Sequence, residues 1–235
     1  MSNLLIIAAT NNAHKLVEFK EIFSQAAEAQ TQVMSLKDAV RIYAGDAVEY
    51  GDPEETGKTF AANAYLKAAA LYEFLGKALQ EEQKKDTLSD VLIVADDSGL
   101  CVNALDGAPG VYSARYASQN GENATDSQNV EKLLDVMKDV PDGERQASFV
   151  CAVTGILLKP GLKEFVLLMA EGHMPGVIAR ETRGSNGFGY DPVLFLPEYG
   201  KSVAELTPDE KNDISHRGQA LRRLADRYYG LRKEL

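Results

Sequence analysis

The sequence predicts an α/β protein whose sheet is mixed, with part of it antiparallel. Three observations carry this. Apolar strand-like runs and segments of helical spacing share the chain. Several strand-like runs then follow one another between residues 147 and 196, which favours antiparallel neighbours there. Hydrophobic residues make up 45% of 235 residues, enough for a sizeable core in one large domain or in two lobes around one cleft.

The elements follow in order. Residues 4–9 (Leu-Leu-Ile-Ile-Ala-Ala) read as a short buried strand. Thr10, Asn11 and Asn12 suit a turn or helix N-cap, and Leu16, Phe19, Ile22, Phe23 and Ala26 fall at helical spacing. Residues 45–59 are polar, carry Gly45, Gly51, Pro53 and Gly57, and read as a loop. A helix is predicted over residues 60–79, followed by a charged helix end or loop over 80–90. Val91-Leu92-Ile93-Val94-Ala95 is the clearest buried strand and is expected to end in Asp96-Asp97-Ser98-Gly99. A loop with Gly107, Pro109 and Gly110 comes next, and Thr125 with Gln128 forms a capping box ahead of Val130, Leu133, Leu134 and Met137. Ala147, Phe149, Cys151 and Val153 alternate as in a half-buried strand. Further strands are expected at residues 165–169, 177–179 and 193–196. Thr207-Pro208-Asp209-Glu210 opens a helix, and Ser215 caps the last one, whose core face is Leu221, Leu224, Ala225 and Tyr228.

Composition narrows the function. With 25 basic against 35 acidic residues the net charge is −10, unsuited to general binding of nucleic acid polymers. No apolar run reaches the roughly 18 residues of a membrane span, and the N-terminus lacks a basic region ahead of its short apolar run. A cytoplasmic protein with no membrane partner is the expectation. Cys101 and Cys151 sit in no metal-type cluster and read as reduced structural thiols.

Five segments hold residues suited to chemistry. Thr10, Asn11, Asn12, Ala13, His14 and Lys15 place free amides, a helix N-terminus and a lysine together, as a phosphate cradle needs; taken alone, the segment reads more readily as an ordinary capped helix with a solvated lysine. Asp96-Asp97-Ser98-Gly99 offers hard oxygen ligands at a strand end, for magnesium or for deprotonating a water; an Asx-turn is the bland alternative. Glu54 and Glu55 precede a helix on which Asn63 and Lys67 share a face, suiting a metal–triphosphate or a plain acidic turn and surface lysine. Gly57-Lys58-Thr59 is no P-loop, because Asp52 stands where a glycine is required and no strand precedes it. In Gly184-Ser185-Asn186-Gly187-Phe188-Gly189-Tyr190-Asp191-Pro192 the glycines leave the Phe188 ring open for stacking on a base, with Asp191 an acceptor for its edge; a glycine-rich hairpin is the alternative. Lys211 and Ser215-His216-Arg217 put donors at a helix start, facing carbonyls or phosphates or merely solvent.

Taken in this order, the segments resemble the inosine triphosphate pyrophosphatase, or Ham1-like, family over nearly the whole chain. The likeness includes residues 10–15, Glu55-Thr56-Gly57 with Thr59-Phe60, Asn63-Ala64 and Lys67-Ala68. It continues through residues 95–100 and 109–115, then 187–191, Glu210-Lys211 and Ile214-Ser215-His216-Arg217. The resemblance implies an elongated α/β fold, one domain of two lobes around a central cleft, acting as a cytoplasmic homodimer. It implies hydrolysis of ITP, dITP and XTP to the monophosphate and pyrophosphate with Mg2+, which rids the nucleotide pool of deaminated purines; a non-catalytic nucleotide sensor on the same scaffold is the alternative. By the same resemblance, residues 10–15 and Lys67 hold phosphates, Asp97 is metal ligand and general base, and Glu55, or alternatively Glu54, is a second metal-side carboxylate. Ser98 contacts substrate, Phe188 stacks on the base, and Gly189, Tyr190, Asp191, Lys211, His216 and Arg217 bind base and sugar–phosphate. Hypoxanthine and xanthine carry an oxygen at C6 where adenine has an amino group, so donors at His216 or Arg217 would reject adenine. The chain departs from the family with Ala62 in place of a common glutamate and with Asn11 and Asn186 in place of glycines, where asparagine's tolerance of positive φ makes the change mild. The segment at about 72–90 is longer than expected and reads as an extended helix and surface loop.

Overall fold

A computed structural model describes residues 4–25, 31–85 and 90–234, with the side chains of His14, Gln25 and Glu234 outside the described set. The chain opens with β1 (Leu4–Ala8), α1 (Ala13–Gln25), β2 (Thr31–Ser35), α2 (Leu36–Ala44) and α3 (Phe60–Lys84). It continues with β3 (Asp90–Val102), two short 3₁₀ turns, α4 (Asp126–Val136), β4 (Gln146–Leu158) and β5 (Val166–Ile178). It closes with β6 (Leu194–Leu196), β7 (Lys201–Ser202), α5 (Pro208–Ile214) and α6 (His216–Glu234). The sheet has seven strands in the order β2-β1-β3-β4-β5-β6-β7. β1 pairs parallel with β2 and β3, whereas β6 pairs antiparallel with β5 and β7. The predicted mixed sheet is present.

The chain divides into two compact units, Met1–Asp97 with Ala152–Glu171 and Ala220–Leu235, and Ser98–Cys151 with Gly172–Gln219. In the first, every residue of β1 is buried, as a parallel strand between two neighbours requires. Leu5, Ile7, Val91, Ile93 and Ala95 pack with Leu36, Ala39 and Val40 of α2 and with Leu71, Leu75 and Leu79 of α3. The other face of β3 meets α6 through Leu92 and Leu224, both within 3.4 Å of where a Gly155 Cβ would stand. In the second unit, Leu100 and Val102 of β3 share a core with Val130 and Leu133 of α4, Met174 and Ile178 of β5, and Leu194 and Leu196 of β6.

Several sequence expectations are corrected. β3 does not end at Asp96 but runs to Val102. Asp96 and Asp97 spend their carboxylates on distant side chains, so the strand ladder goes on where an Asx-turn would have stopped it. The strands expected at 165–169 and 177–179 are one strand, β5, in which burial alternates through Leu168, Ala170, Gly172 and Met174 and the strand runs on to buried Ile178. α3 extends to Lys84 and is not merely solvated at its end, since Leu79 is buried and buried Gln83 donates to the Leu158 carbonyl at 3.1 Å. Residues 86–89 of the expected 72–90 extension lie outside the described residues. β2 and α2 were not predicted, although Ser35 caps α2 by accepting from the Asp38 amide. Among the described residues Asp106 is the one non-glycine with positive φ, so Asn11 and Asn186 need no left-handed conformation. Asn186 is placed instead by its amide, which donates to the Leu206 carbonyl at 3.1 Å.

Candidate active site

The first unit assembles its polar cluster where β3 runs on beyond its parallel neighbour. β1 ends at Ala8, opposite Val94, so Asp96 and Asp97 stand past the end of that strand. Consecutive strand residues face opposite ways. Asp96 is 2% exposed and takes the Lys15 ammonium at 2.9 and 3.1 Å, whereas Asp97 takes an amide hydrogen of Asn63 at 2.9 Å. The first carboxylate thus meets α1 and the second meets α3.

Asn63 lies in the first turn of α3 and is fully buried. Its carbonyl oxygen accepts the Gly57 amide at 2.7 Å while its nitrogen donates to Asp97, so one side chain fixes both the loop and the carboxylate. A Cβ at Gly57 would land on the Asn63 carbonyl oxygen and within 2.9 Å of the Ala62 Cβ, hence the glycine. One turn on, Lys67 donates to Glu55 at 2.9 Å and lies 3.9 Å from Asp97. Asn63 and Lys67 do share a face, as their spacing predicts. Glu55 is the half-buried member of its pair; Glu54 is exposed.

Burial pushes the Asp97 carboxyl up; Lys67 and the Asn63 bond pull it down, Glu55 and Asp96 push it up again, and it remains above the ordinary carboxylate value. Burial pulls the Lys67 ammonium down, but Asp96, Asp97 and Glu55 outweigh it and hold its pKa above the usual lysine value. Three carboxylates thus crowd two ammonium groups, a pole with an appetite for a further cation. Among the described residues no three acidic, histidine or cysteine side chains converge as a self-sufficient metal site. Magnesium does not need one, since one or two carboxylates with phosphate oxygens and water complete its shell. Asp97 and Glu55 fit that role by donor chemistry.

The turn before α1 is locally built. The Thr10 hydroxyl accepts the Asn12 amide at 3.1 Å, and the Asn12 side chain accepts the Lys15 amide at 3.3 Å as an N-cap. Asn11 donates to Asp52 at 3.0 Å, joining this turn to the 45–59 loop. Ala13 opens the helix, and the His14 side chain lies outside the described residues.

The second unit carries the remaining predicted residues. Phe188 is 41% exposed, and the Lys211 ammonium stands 4.6 Å from its ring centroid. Asp191 is buried; its Oδ2 accepts both the Phe188 amide at 2.9 Å and the Lys211 ammonium at 2.6 Å. A Cβ at Gly187, where φ is +79°, would strike that same oxygen, so glycine is required there on two counts. Tyr190 is buried, and its hydroxyl donates to the Ser113 carbonyl at 2.9 Å, which makes its side chain a support of the loop. Gly189 donates its amide to Asp126 at 2.7 Å. His216 is buried with its ring stacked on Phe149 at 5.0 Å, and buried Arg217 donates to the Ser98 hydroxyl at 3.1 Å. The sequence reading missed the bridging role of Asn63 and the Lys15–Asp96 pair. The helical spacing of Asn63 and Lys67 and the paired aspartates were the visible signals; the partners were not. Cys101 and Cys151 are free thiols, as expected.

Residues 6–227 match the Ham1 family. A dITP/XTP pyrophosphatase of Clostridium perfringens (strain 13 / Type A) is 44% identical over 227 residues, covering 97% of this chain and 98% of the relative. Another dITP/XTP pyrophosphatase, from Shigella flexneri, is 42% identical over 221 residues, covering 94% and 96%. A solved structure of a HAM1 protein from Coxiella burnetii is similar with a TM-score of 0.75 at 36% identity, over 97% of this chain and 99% of that one.

Proposed function

The chain belongs to the Ham1 family, and from that premise we propose that it hydrolyses dITP, ITP and XTP to the monophosphate and pyrophosphate. The observation that carries this reading is the buried Asp97, aimed by Asn63 and faced by Lys67 and Glu55. In the proposed reaction Asp97 accepts the proton of the attacking water, and burial, by raising its pKa, makes it a better base than an exposed aspartate. Lys67, together with Lys15 and the turn at residues 10–15, binds the phosphates, although the amides of Thr10, Asn12 and Lys15 are already spent inside that turn. Asp97 and Glu55 would hold Mg2+, which when bound neutralises phosphate charge as a Lewis acid. Ser98 would contact substrate beside Asp97 in the sequence.

Base recognition falls to the second unit. Phe188 offers an exposed ring face for stacking. Lys211, His216 and Arg217 supply donors for the base and sugar–phosphate, and a donor at the C6 oxygen of hypoxanthine or xanthine would be left unpaired by adenine. Asp191 acts through its hold on the Phe188 amide and Lys211. The family resemblance also makes a cytoplasmic homodimer part of this proposal; no described helix is long and apolar enough to cross a membrane.

Turnover of ITP with magnesium, with products separated by chromatography, tests the reading. IMP and pyrophosphate are the expected products, and Asp97→Asn is expected to abolish their formation. Orthophosphate as the first product would overturn the assigned bond.

A further inference from the structure

We propose that Asp126, outside every role assigned above, is a positioning residue that aims the Phe188 ring and so sets how tightly the substrate's base is held. This rests on the function proposed above and on Phe188 as the stacking ring.

Two consecutive amides flank the ring, and each meets a carboxylate. The Phe188 amide donates to Asp191 at 2.9 Å, within the loop itself. The Gly189 amide donates to Asp126 at 2.7 Å, across 63 residues of sequence. On one side the loop is moored through Asn186, whose amide meets the Ala204 carbonyl at 3.0 Å and whose side chain meets Leu206. On the other it is moored through the Tyr190 hydroxyl on Ser113. Gly189 stands between ring and Tyr190 and has only backbone with which to be held. With much of the Phe188 ring in solvent, packing covers it in part, and its aim depends on the backbone that carries it.

Asp126 sits on a fixed mount. It is the first residue of α4, directly after the Thr125 capping box. Buried Asn129, one turn on, accepts the Ala117 amide at 2.8 Å and donates to the Ala114 carbonyl at 3.1 Å, while Val130 and Leu133 lie in the core. An ionised acceptor strengthens the bond to Gly189. The same charge also complements the positive end of α4. Asparagine separates the two roles, because its carbonyl oxygen still accepts from Gly189 but carries no charge.

Steady-state kinetics on ITP with magnesium, using the full chain, tests this with Asp126→Ala, Asp126→Asn, Phe188→Ala and the Asp126→Ala/Phe188→Ala pair. Asp126→Ala is expected to raise KM about fivefold, the equivalent of about 1 kcal/mol for one net hydrogen bond, with kcat unchanged. Asp126→Asn, which keeps the acceptor but loses the charge that strengthens the bond, is expected to recover most of that rise, and Asp126→Ala to add nothing once Phe188 is alanine. A wild-type KM in Asp126→Ala, an Asn variant as impaired as the Ala variant, or a KM rise that persists without the Phe188 ring would each overturn the role of Asp126. A wild-type KM in Phe188→Ala would instead overturn the base-stacking assignment itself, so the two failures are distinguishable.

Discussion

Asp97 shows how one residue can be costly to the fold and useful to chemistry. Its folded pKa lies above the ordinary value, with burial the largest cause. Folding therefore favours its protonated form; that contribution to stability is present below the unfolded pKa and is lost as pH rises through the folded one. At neutral pH the ionised carboxylate weakens the fold. Asp97→Asn, which keeps an acceptor for Asn63, is expected to remove turnover while leaving Tm at pH 7 no lower than wild type, checked by thermal denaturation. The same shift governs activity, since a general base must be ionised. Lys67→Met is expected to move the acid limb of kcat/KM up, because Lys67 pulls the Asp97 pKa down. An acid limb unmoved by Lys67→Met would contradict the coupling.

At the scale of elements, the first turn of α3 controls the carboxylate. Thr59 caps the helix by accepting the Ala62 amide at 3.1 Å, and Asn63 then reaches both Gly57 and Asp97. Gly57→Ala puts a methyl group on the Asn63 carbonyl oxygen, so either the loop or Asn63 must shift. Loss of one buried polar partner costs about 1–3 kcal/mol, and kcat is expected to fall at least tenfold with a lowered Tm. Asn63→Ala, which removes the bond to Asp97 itself, is expected to lower kcat likewise, and wild-type kinetics in that variant would show that Asn63 does not aim Asp97. A second element-scale device is buried Arg145, which donates to the carbonyls of Met137 and Val140 after α4 and of Ile178 and Ala179 at the end of β5. Burial lowers its pKa, yet the carbonyls give its charge a solvating cage.

For the whole molecule, substrate and cation should act through mass action on the folded state. A non-hydrolysable ITP analogue at about 100 times its Kd, with magnesium, is expected to stabilise by about 2.7 kcal/mol. Chelating the metal should remove most of that gain, as read by Tm; an equal shift in chelator would argue that the acidic pole holds no cation with the nucleotide. The mixed sheet, the buried β1, the Thr125 and Thr207 capping boxes and the core face of α6 were all legible in the sequence. The sheet follows from the order of strand-like and helix-like segments along the chain, and each of the others depends on side-chain period or on chemistry within about four residues, which neighbouring residues determine by themselves. The family was legible too, from ordered blocks along nearly the whole chain, and the match over residues 6–227 agrees. Tertiary structure alone decided that β3 runs through its aspartates, that Lys15 meets Asp96 across 81 residues, and that Asn63 meets Asp97 across 34. Such pairings follow from which helix packs on which face of the sheet, and a carboxylate's neighbours in sequence carry no record of that choice.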